Sequence, residues 1–257
     1  MNFGRILAIA SNVVKEVFRE QVLYLALLYV FVLVAALTLL PSVSANTHEK
    51  ITVDVGIAAI EVVGLIVAVF VSTGLINREI DKRTIFVLVA KPLSRAEFVL
   101  GKHLGISIVL ASLIAVMSAI FVVLMLISGI QIPIGAILVS NFFTFWQLML
   151  ISAIAILFST FTSSLIAALL TFAAYLMGNI SADILKLGEL AENPAMQKTT
   201  EFIYLVLPDL SRANLKNDAV VAYLPSGAEL FNNGVYILAY ACIMLALAML
   251  IFARRQF

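Results

Sequence analysis

The residues able to carry charge-based chemistry are unevenly placed along this 257-residue chain. Asn77–Lys102 contains nine Asp, Glu, Lys and Arg residues, whereas residues 103–182 contain none. Among the long apolar runs, the one at Ile57–Ile76 is interrupted by a single carboxylate, Glu61. An ionisable group inside such a run is a candidate for proton, ion or substrate contact. The alternative is that Glu61 lies near an interface and simply reaches water.

The sequence contains no recognisable enzyme motif. Gly101–Lys102 is followed by His103 instead of the Ser or Thr of a phosphate-binding loop, so we expect no ATP site in this chain. Nucleophile-elbow and zinc-protease motifs are also missing, and no span carries two carboxylates at helical spacing. With two histidines and one cysteine, Cys242, we expect no catalytic residue, no intrinsic metal and no cofactor bound by this chain.

The uncharged stretch must fold back several times if it is helical. Eighty residues of helix would measure roughly 120 Å, against roughly 30 Å for the hydrocarbon core of a bilayer. With 63% hydrophobic and 12% charged residues, the sequence predicts an all-α polytopic membrane protein with a single transmembrane domain over 1–257. The six predicted spans are about 22–40, 57–76, 104–128, 136–158, 165–182 and 234–253.

The distribution of Lys and Arg predicts the orientation. Six spans place both termini on one side, and that side would hold eleven of the 16 Lys and Arg residues. The positive-inside rule then places both termini and the charged 77–102 segment in the cytoplasm. Residues 183–233 become the largest outside segment, either as helices on or re-entering the outer leaflet or as a folded cap.

The first residues have an amphipathic helical pattern. Apolar side chains recur at helical spacing and charged or polar ones fill the other face, which predicts an interfacial helix before the first span. It would either anchor that span or also touch a cytoplasmic partner. The apolar face consists of Phe3, Ile6, Leu7, Ala10, Val13, Val14, Val17 and Phe18.

The charged segment contains a short apolar run, Ile85–Ala90, that cannot span a membrane. Pro92 ends whatever helix precedes it. Ser94 and Glu97 then have capping-box spacing, so a new helix should start at Ser94 and continue as the third span. The predicted layout is span, short docking helix, proline turn and capped span. The alternative is an ordinary positively charged inner loop.

This layout resembles the type-2 ABC transporter permease family, and most closely its branch containing the nitrous-oxide-reductase maturation permease. The later segments Leu157–Ser164 and Leu207–Lys216 are similar to that branch too. The resemblance covers nearly the whole chain. The residues of the charged segment that match the family pattern are Glu79, Thr84, Pro92, Ser94, Arg95, Phe98, Gly101 and Lys102.

The resemblance implies that the loop between spans two and three is a coupling helix, docked on a separate ABC ATPase that binds ATP and Mg. It also implies a second permease copy, identical or paralogous, and a bacterial plasma (inner) membrane with lipid as surroundings. No nucleic-acid partner is expected. The expected ATPase-docking residues are Glu79, Arg83, Thr84, Ile85, Phe86, Leu88, Pro92 and Arg95.

Polar residues in or near the spans are the candidates for a translocation path. They are Glu61, Asn141, Asn179 and Asp183. A ridge of small residues on span three, at four-residue spacing, predicts close helix contact within the chain or across a dimer. It consists of Ser107, Ala111, Ala115 and Ala119.

Two other function classes fit six spans: a stand-alone secondary transporter or channel, and a membrane scaffold or sensor subunit. A stand-alone transporter usually places charged or broken elements at the bilayer midplane. Spans three and four lack such charges, so a permease subunit of an ATP-driven ABC transporter is favoured. An ATPase that co-purifies with the chain would separate these classes.

Overall fold

The computed structural model describes residues 2–19, 23–43, 48–81, 94–191 and 193–254, and their regular structure is helical. A 3-10 turn, Leu210–Ala213, lies between the helices Pro194–Val206 and Lys216–Val220. The helices of these ranges are α1 (Phe3–Val17), α2 (Leu23–Val43), α3 (His48–Asp81), α4 (Arg95–Ile127), α5 (Ile134–Ser159), α6 (Ser164–Leu190), α7 (Pro194–Val206), α8 (Lys216–Val220) and α9 (Gly227–Arg254).

Six of these helices, α2 to α6 and α9, are long and apolar enough to cross a membrane. The all-α, six-span prediction is therefore confirmed. Several spans are longer than predicted: α3 continues to Asp81, α6 to Leu190, and α9 already begins at Gly227. The prediction ended the fifth span at residue 182, whereas α6 continues about two helical turns further, through polar residues that hydropathy alone excludes.

α3 and α5 form the centre of the bundle. Of their span residues, 67% and 72% are buried, against 17% for α2 and 28% each for α6 and α9. Glycines on α3 allow close approach, because a Cβ at Gly56 would overlap the Phe121 ring and one at Gly64 would overlap the Leu148 side chain. Small residues at helix contacts are the usual device for packing helices in a membrane.

The N-terminal helix α1 packs along the first turns of α4. Its side chains Ile6, Ala10, Val13 and Val17 are buried, whereas Phe3, Leu7 and Phe18 remain exposed. The predicted apolar face is thus divided. One strip packs on protein and the other stays available to the membrane surface.

The contact between α1 and α4 depends on two glycines four residues apart. A Cβ at Gly101 would lie 2.7 Å from the Ile9 Cβ and 3.1 Å from the Ile6 carbonyl oxygen. At Gly105, a Cβ would lie 2.7 Å from the Val13 Cβ and 3.0 Å from the Ala10 carbonyl oxygen. This Gly-x-x-x-Gly pair lets the two backbones approach each other.

The segment between α6 and α9 folds back onto the helices as a cap. α7 returns along α6, where Gly188 lies against Thr200. The 3-10 turn packs on α6 at Gly178, because a Cβ there would lie 2.8 Å from both Leu210 and the Pro208 carbonyl oxygen. The described part of this segment therefore packs on the helix bundle.

Candidate coupling region and buried polar network

The first turn of α4 carries a charged contact point for the N-terminus. The Ser94 hydroxyl accepts from the Glu97 backbone N–H at 3.2 Å, and Glu97 accepts from the Ser94 N–H at 3.1 Å, which confirms the predicted capping box. The second Glu97 oxygen accepts from the Asn2 backbone N–H at 2.6 Å, and the Arg5 guanidinium lies 3.8 Å from the oxygen that accepts from Ser94. One buried carboxylate therefore caps α4 and also holds the start of α1.

Two further contacts join helix ends around the same turn. Lys102 on α4 forms an ion pair with Glu79 near the end of α3, and its ammonium lies 5.4 Å from the centre of the Phe98 ring. Arg95 donates to the carbonyl oxygens of Phe252 at 2.8 Å and Ala253 at 3.0 Å. A cation at the last carbonyls of α9 satisfies acceptors that a helix end leaves open.

Stacking of Phe98 on Phe252, with ring centres 5.8 Å apart, adds an apolar contact at the same place. Ends of α1, α3, α4 and α9 are thus joined around the start of α4. We call this set the helix-end cluster. Its members are Asn2, Glu79, Arg95, Glu97, Phe98, Lys102 and Phe252.

The helix-end cluster flanks the predicted docking segment on both sides. Most predicted docking residues lie outside the described residues: Arg83, Thr84, Ile85, Phe86, Leu88 and Pro92. The other two, Glu79 and Arg95, are described, and both make contacts within the chain. Their predicted contacts with an ATPase would have to be made in addition to these.

A second polar site lies deeper in the bundle, around Glu61 of α3. The Glu61 carboxylate forms an ion pair with Lys216 of α8, and its side chain is only 3% exposed. The Tyr175 hydroxyl of α6 donates to it at 2.6 Å. The alternative that Glu61 simply reaches water is therefore wrong for this structure, since its charge is buried and compensated within the chain.

The network continues from Tyr175 along α6 to α5. Asn179 donates to the Tyr175 carbonyl oxygen at 2.9 Å and accepts from the Gln147 amide at 3.3 Å. Three spans and the cap thus meet in one chain of buried and half-buried polar groups. We call these five residues the Glu61 network: Glu61, Gln147, Tyr175, Asn179 and Lys216.

The cap that supplies Lys216 is held in place by Asp209. This carboxylate accepts from the Ser211 hydroxyl at 2.6 Å, the Tyr204 hydroxyl at 3.1 Å and the Arg212 guanidinium at 3.1 Å. Its backbone N–H donates to the Tyr236 hydroxyl of α9 at 2.8 Å. The hydrogen bond with Tyr204, together with Asp209, raises the pKa of Arg212, so that side chain keeps its charge.

The structure separates the four predicted path residues. Glu61 and Asn179 belong to the Glu61 network. Asn141 lies elsewhere, donating to the Ser118 hydroxyl at 2.8 Å between α4 and α5. Asp183 is exposed and pairs with Lys186 at 3.3 Å. Sequence reasoning missed Lys216, whose only signal was a charge inside the family-like segment Leu207–Lys216.

The fold and its six apolar helices define a multi-pass helical membrane protein. A comparison with protein-family models adds the particular family. The model described as "ABC-2 family transporter protein" matches residues 7–257, and the chain belongs to this family. It is a permease subunit of an ABC transporter. In general, members of this family are membrane transport components that work with an ABC ATPase and in dimeric arrangements. No curated protein matches the sequence.

Proposed function

We propose that this permease subunit is driven by a separate ATPase docked on the 77–102 segment, and that the helix-end cluster transmits the movement to the spans. The supporting observation is that the contacts flanking residues 82–93 join the ends of α1, α3, α4 and α9. ATP and Mg bind the partner chain. A displacement of the segment between α3 and α4 then acts on four helices together.

Glu97 and the Gly101–Gly105 contact extend this linkage to the N-terminal helix. Since α1 is hydrogen-bonded at Asn2 and packed backbone to backbone along α4, it moves with α4 as one unit. The helix therefore acts as a lever on the membrane surface as well as an anchor. Its exposed apolar residues, among them Phe3 and Leu7, keep it at that surface.

The apolar run Ile85–Ala90 supplies the docking surface. Burying an apolar side chain in a partner groove contributes roughly 1.5–3 kcal/mol, and an unpaired carboxylate in its place adds a desolvation cost of several kcal/mol. Phe86→Asp and Leu88→Asp should therefore abolish ATPase binding while membrane insertion is retained. Glu79→Ala should weaken binding much less, because an exposed charged contact contributes only about 0–1 kcal/mol.

Co-purification of the ATPase with each variant, at matched membrane levels, tests this docking proposal. Ser163→Asp is the matched control, because Ser163 is an exposed position in the connection at 160–163, on the same proposed face of the bundle. The control should retain the ATPase. Wild-type amounts of ATPase on both Phe86→Asp and Leu88→Asp would show that the apolar run contacts lipid and would overturn the coupling role.

The proposed orientation has both termini in the cytoplasm of a bacterial cell, with the cap facing outward. It is supported by the eleven cationic residues assigned to the side of the helix-end cluster. Reporter fusions after Phe257 and inside the cap, at residues 221–226, should report opposite sides of the inner membrane. Reports from the same side would break the six-span topology.

The transporter would contain a second membrane subunit, either another copy or a paralogue. The likeness to the nitrous-oxide-reductase maturation branch supports a permease that acts on a small solute or on a partner outside the membrane. Native mass spectrometry of the solubilised complex would count permease and ATPase chains directly.

A further inference from the structure

The cap between α6 and α9 consists of two parts that rest on different helices. The first part, α7 and the 3-10 turn, packs on α6, and the 3-10 turn also contacts α5 and α9. The second part is the short helix α8, Lys216–Val220, which packs on α3 and α5. A movement of α3 relative to α6 would therefore act between the two parts of the cap.

α8 directs two side chains, one helical turn apart, into the bundle. Ala219 is fully buried, but its methyl group covers little apolar surface. Lys216 forms the ion pair with Glu61, and its side chain is 27% exposed. The stem of this lysine thus leads from the surface of the cap to a buried carboxylate. The contact of α8 with α3 depends largely on a charged pair whose lysine already borders water.

The lysine covers one end of the Glu61 network. Glu61 is 3% exposed at its side chain, and Gln147, at the other end of the network, is 1% exposed. If Lys216 turned to water, the carboxylate would be the first group to be uncovered, followed by the Tyr175 hydroxyl that donates to it. The position of α8 therefore determines whether water on the cap side reaches polar groups of three spans.

The chain directly after α8 has a strained backbone. Ala222 has a φ of 56°, in the left-handed region where glycine is usual because a Cβ makes it unfavourable. The backbone N–H groups of Ala222 and Tyr223 donate to the carbonyl oxygens of Ala219 at 3.3 Å and Asp218 at 2.9 Å. The strain is therefore kept while α8 is in place and is released when this turn opens, which favours movement of α8.

α3 connects the ion pair under α8 with the helix-end cluster. Glu61 and Glu79 are eighteen residues apart, which is five full turns, so both carboxylates lie on the same side of α3. No proline interrupts the helix between them. A displacement of the end of α3 that carries Glu79 is therefore passed on to Glu61, whereas α7 stays with α6.

We propose that α8 is a lid on the cap side of the permease, that the ion pair between Lys216 and Glu61 latches it closed, and that a shift of α3 opens it. Opening turns Lys216 to water and gives the outside solution access to the Glu61 network. The inference rests on the proposed function for its drive, because the docked ATPase would move the other end of α3. The latch belongs to this chain and is tested without the ATPase.

The test measures how fast a water-soluble maleimide modifies a cysteine under the lid, in the full-length chain in lipid nanodiscs. The reporter is Ala219→Cys in a Cys242→Ser background. Because Ala219 is fully buried, the reagent reaches this position only while α8 is lifted. Val221→Cys gives the rate for an open position, since Val221 is 63% exposed. Ala153→Cys, at a fully buried position of α5, detects a general loosening of the bundle.

Two substitutions should change the rate at position 219 in opposite directions. Glu61→Gln should make it about tenfold faster, because an amide oxygen holds the lysine ammonium less strongly than a carboxylate does. Ala222→Gly should make it about fivefold slower, because glycine removes the strain that favours opening. The rate at position 153 should not change in either variant. Lys198→Gln, an exposed lysine on α7, is the control and should leave the rate at position 219 unchanged.

A wild-type rate at position 219 in the Glu61→Gln variant would overturn the latch, and so would an equal acceleration at position 153. The drive is tested separately in the complex with the ATPase, where ATP should accelerate labelling at position 219 of the chain with the intact ion pair. No acceleration in a complex that hydrolyses ATP would overturn the link to α3. If Phe86→Asp and Leu88→Asp retain the ATPase while Glu61→Gln opens the lid, the docking proposal is wrong and the latch stands.

Discussion

Two ion pairs hold opposite parts of α3. They differ in which partner is buried: the lysine in one pair and the glutamate in the other. Near the end of the helix, Lys102 is the buried partner at 8% side-chain exposure and Glu79 is 25% exposed. Deeper in the bundle, Glu61 is the buried partner at 3% and Lys216 is 27% exposed. The two acids are eighteen residues apart, about 27 Å along the helix, close to the thickness of a hydrocarbon core.

The difference between the pairs follows from side-chain length. A lysine has four methylene groups, so Lys102 can lie along apolar surface and still bring its ammonium to water if its partner is lost. A glutamate has a short stem, so Glu61 cannot leave its buried position. The pair at the helix end can therefore rearrange when one partner is lost, whereas the pair under the cap holds α3 in one position.

The largest effect is expected when the buried carboxylate of Glu61 loses its cationic partner. Lys216→Met should destabilise the protein by about 3–5 kcal/mol, because the buried Glu61 carboxyl would be left without its cationic partner. Glu61→Leu should cost less, because Lys216 can turn to water. The double variant should recover most of the loss. Thermal unfolding of the detergent-solubilised chain measures all three.

The comparison fails if Glu61→Leu proves as damaging as Lys216→Met, or if the double variant equals the sum of the two single losses. The first result would mean that Lys216 cannot turn to water when its partner is lost, and the second that the two groups act independently of one another.

A smaller effect is expected where α1 crosses α4. Gly105→Val would force its side chain against Val13 and the Ala10 carbonyl, and such overpacking typically costs about 1–3 kcal/mol. α1 should separate from α4, and its backbone amides should exchange with deuterium faster. Gly135→Val is the matched control, because a Cβ at Gly135 has no other atom within 4 Å. Unchanged exchange in α1 for Gly105→Val would contradict the close backbone contact.

The smallest effect is expected at the pair at the helix end. Glu79→Ala should destabilise the chain by about 1 kcal/mol or less, since Lys102 can extend to water and keeps the face of the Phe98 ring beside it. The same thermal unfolding measurement applies. A loss as large as that of Lys216→Met would show that the two pairs do not differ in the way their exposure suggests.

The location of the polar candidates shows how far sequence reasoning reached. Glu61 stood out because a lone carboxylate in an apolar run is expensive, and the structure buries it. Its partner could not be foreseen, since Lys216 is 155 residues away and belongs to a segment without helical periodicity. Asn141 and Asn179 look alike in sequence. Asn179 belongs to the Glu61 network, whereas Asn141 lies between α4 and α5 and donates to Ser118.

The sequence by itself determined the class of the protein and the local starts and stops. The long uncharged stretch required several spans, because backbone polar groups in lipid must be satisfied within helices. The capping box at Ser94 was equally readable, because its contacts lie within three residues.

Only the tertiary structure decided which helices meet. The Gly101–Gly105 pair receives α1, the end of α9 is capped by Arg95, and the Glu61 network draws the cap down onto three spans. In an apolar chain most faces are equally hydrophobic, so hydropathy does not rank helix partners. Which helices become partners depends on close backbone approach and on the pairing of a few buried charges. Both involve residues that are far apart in the chain.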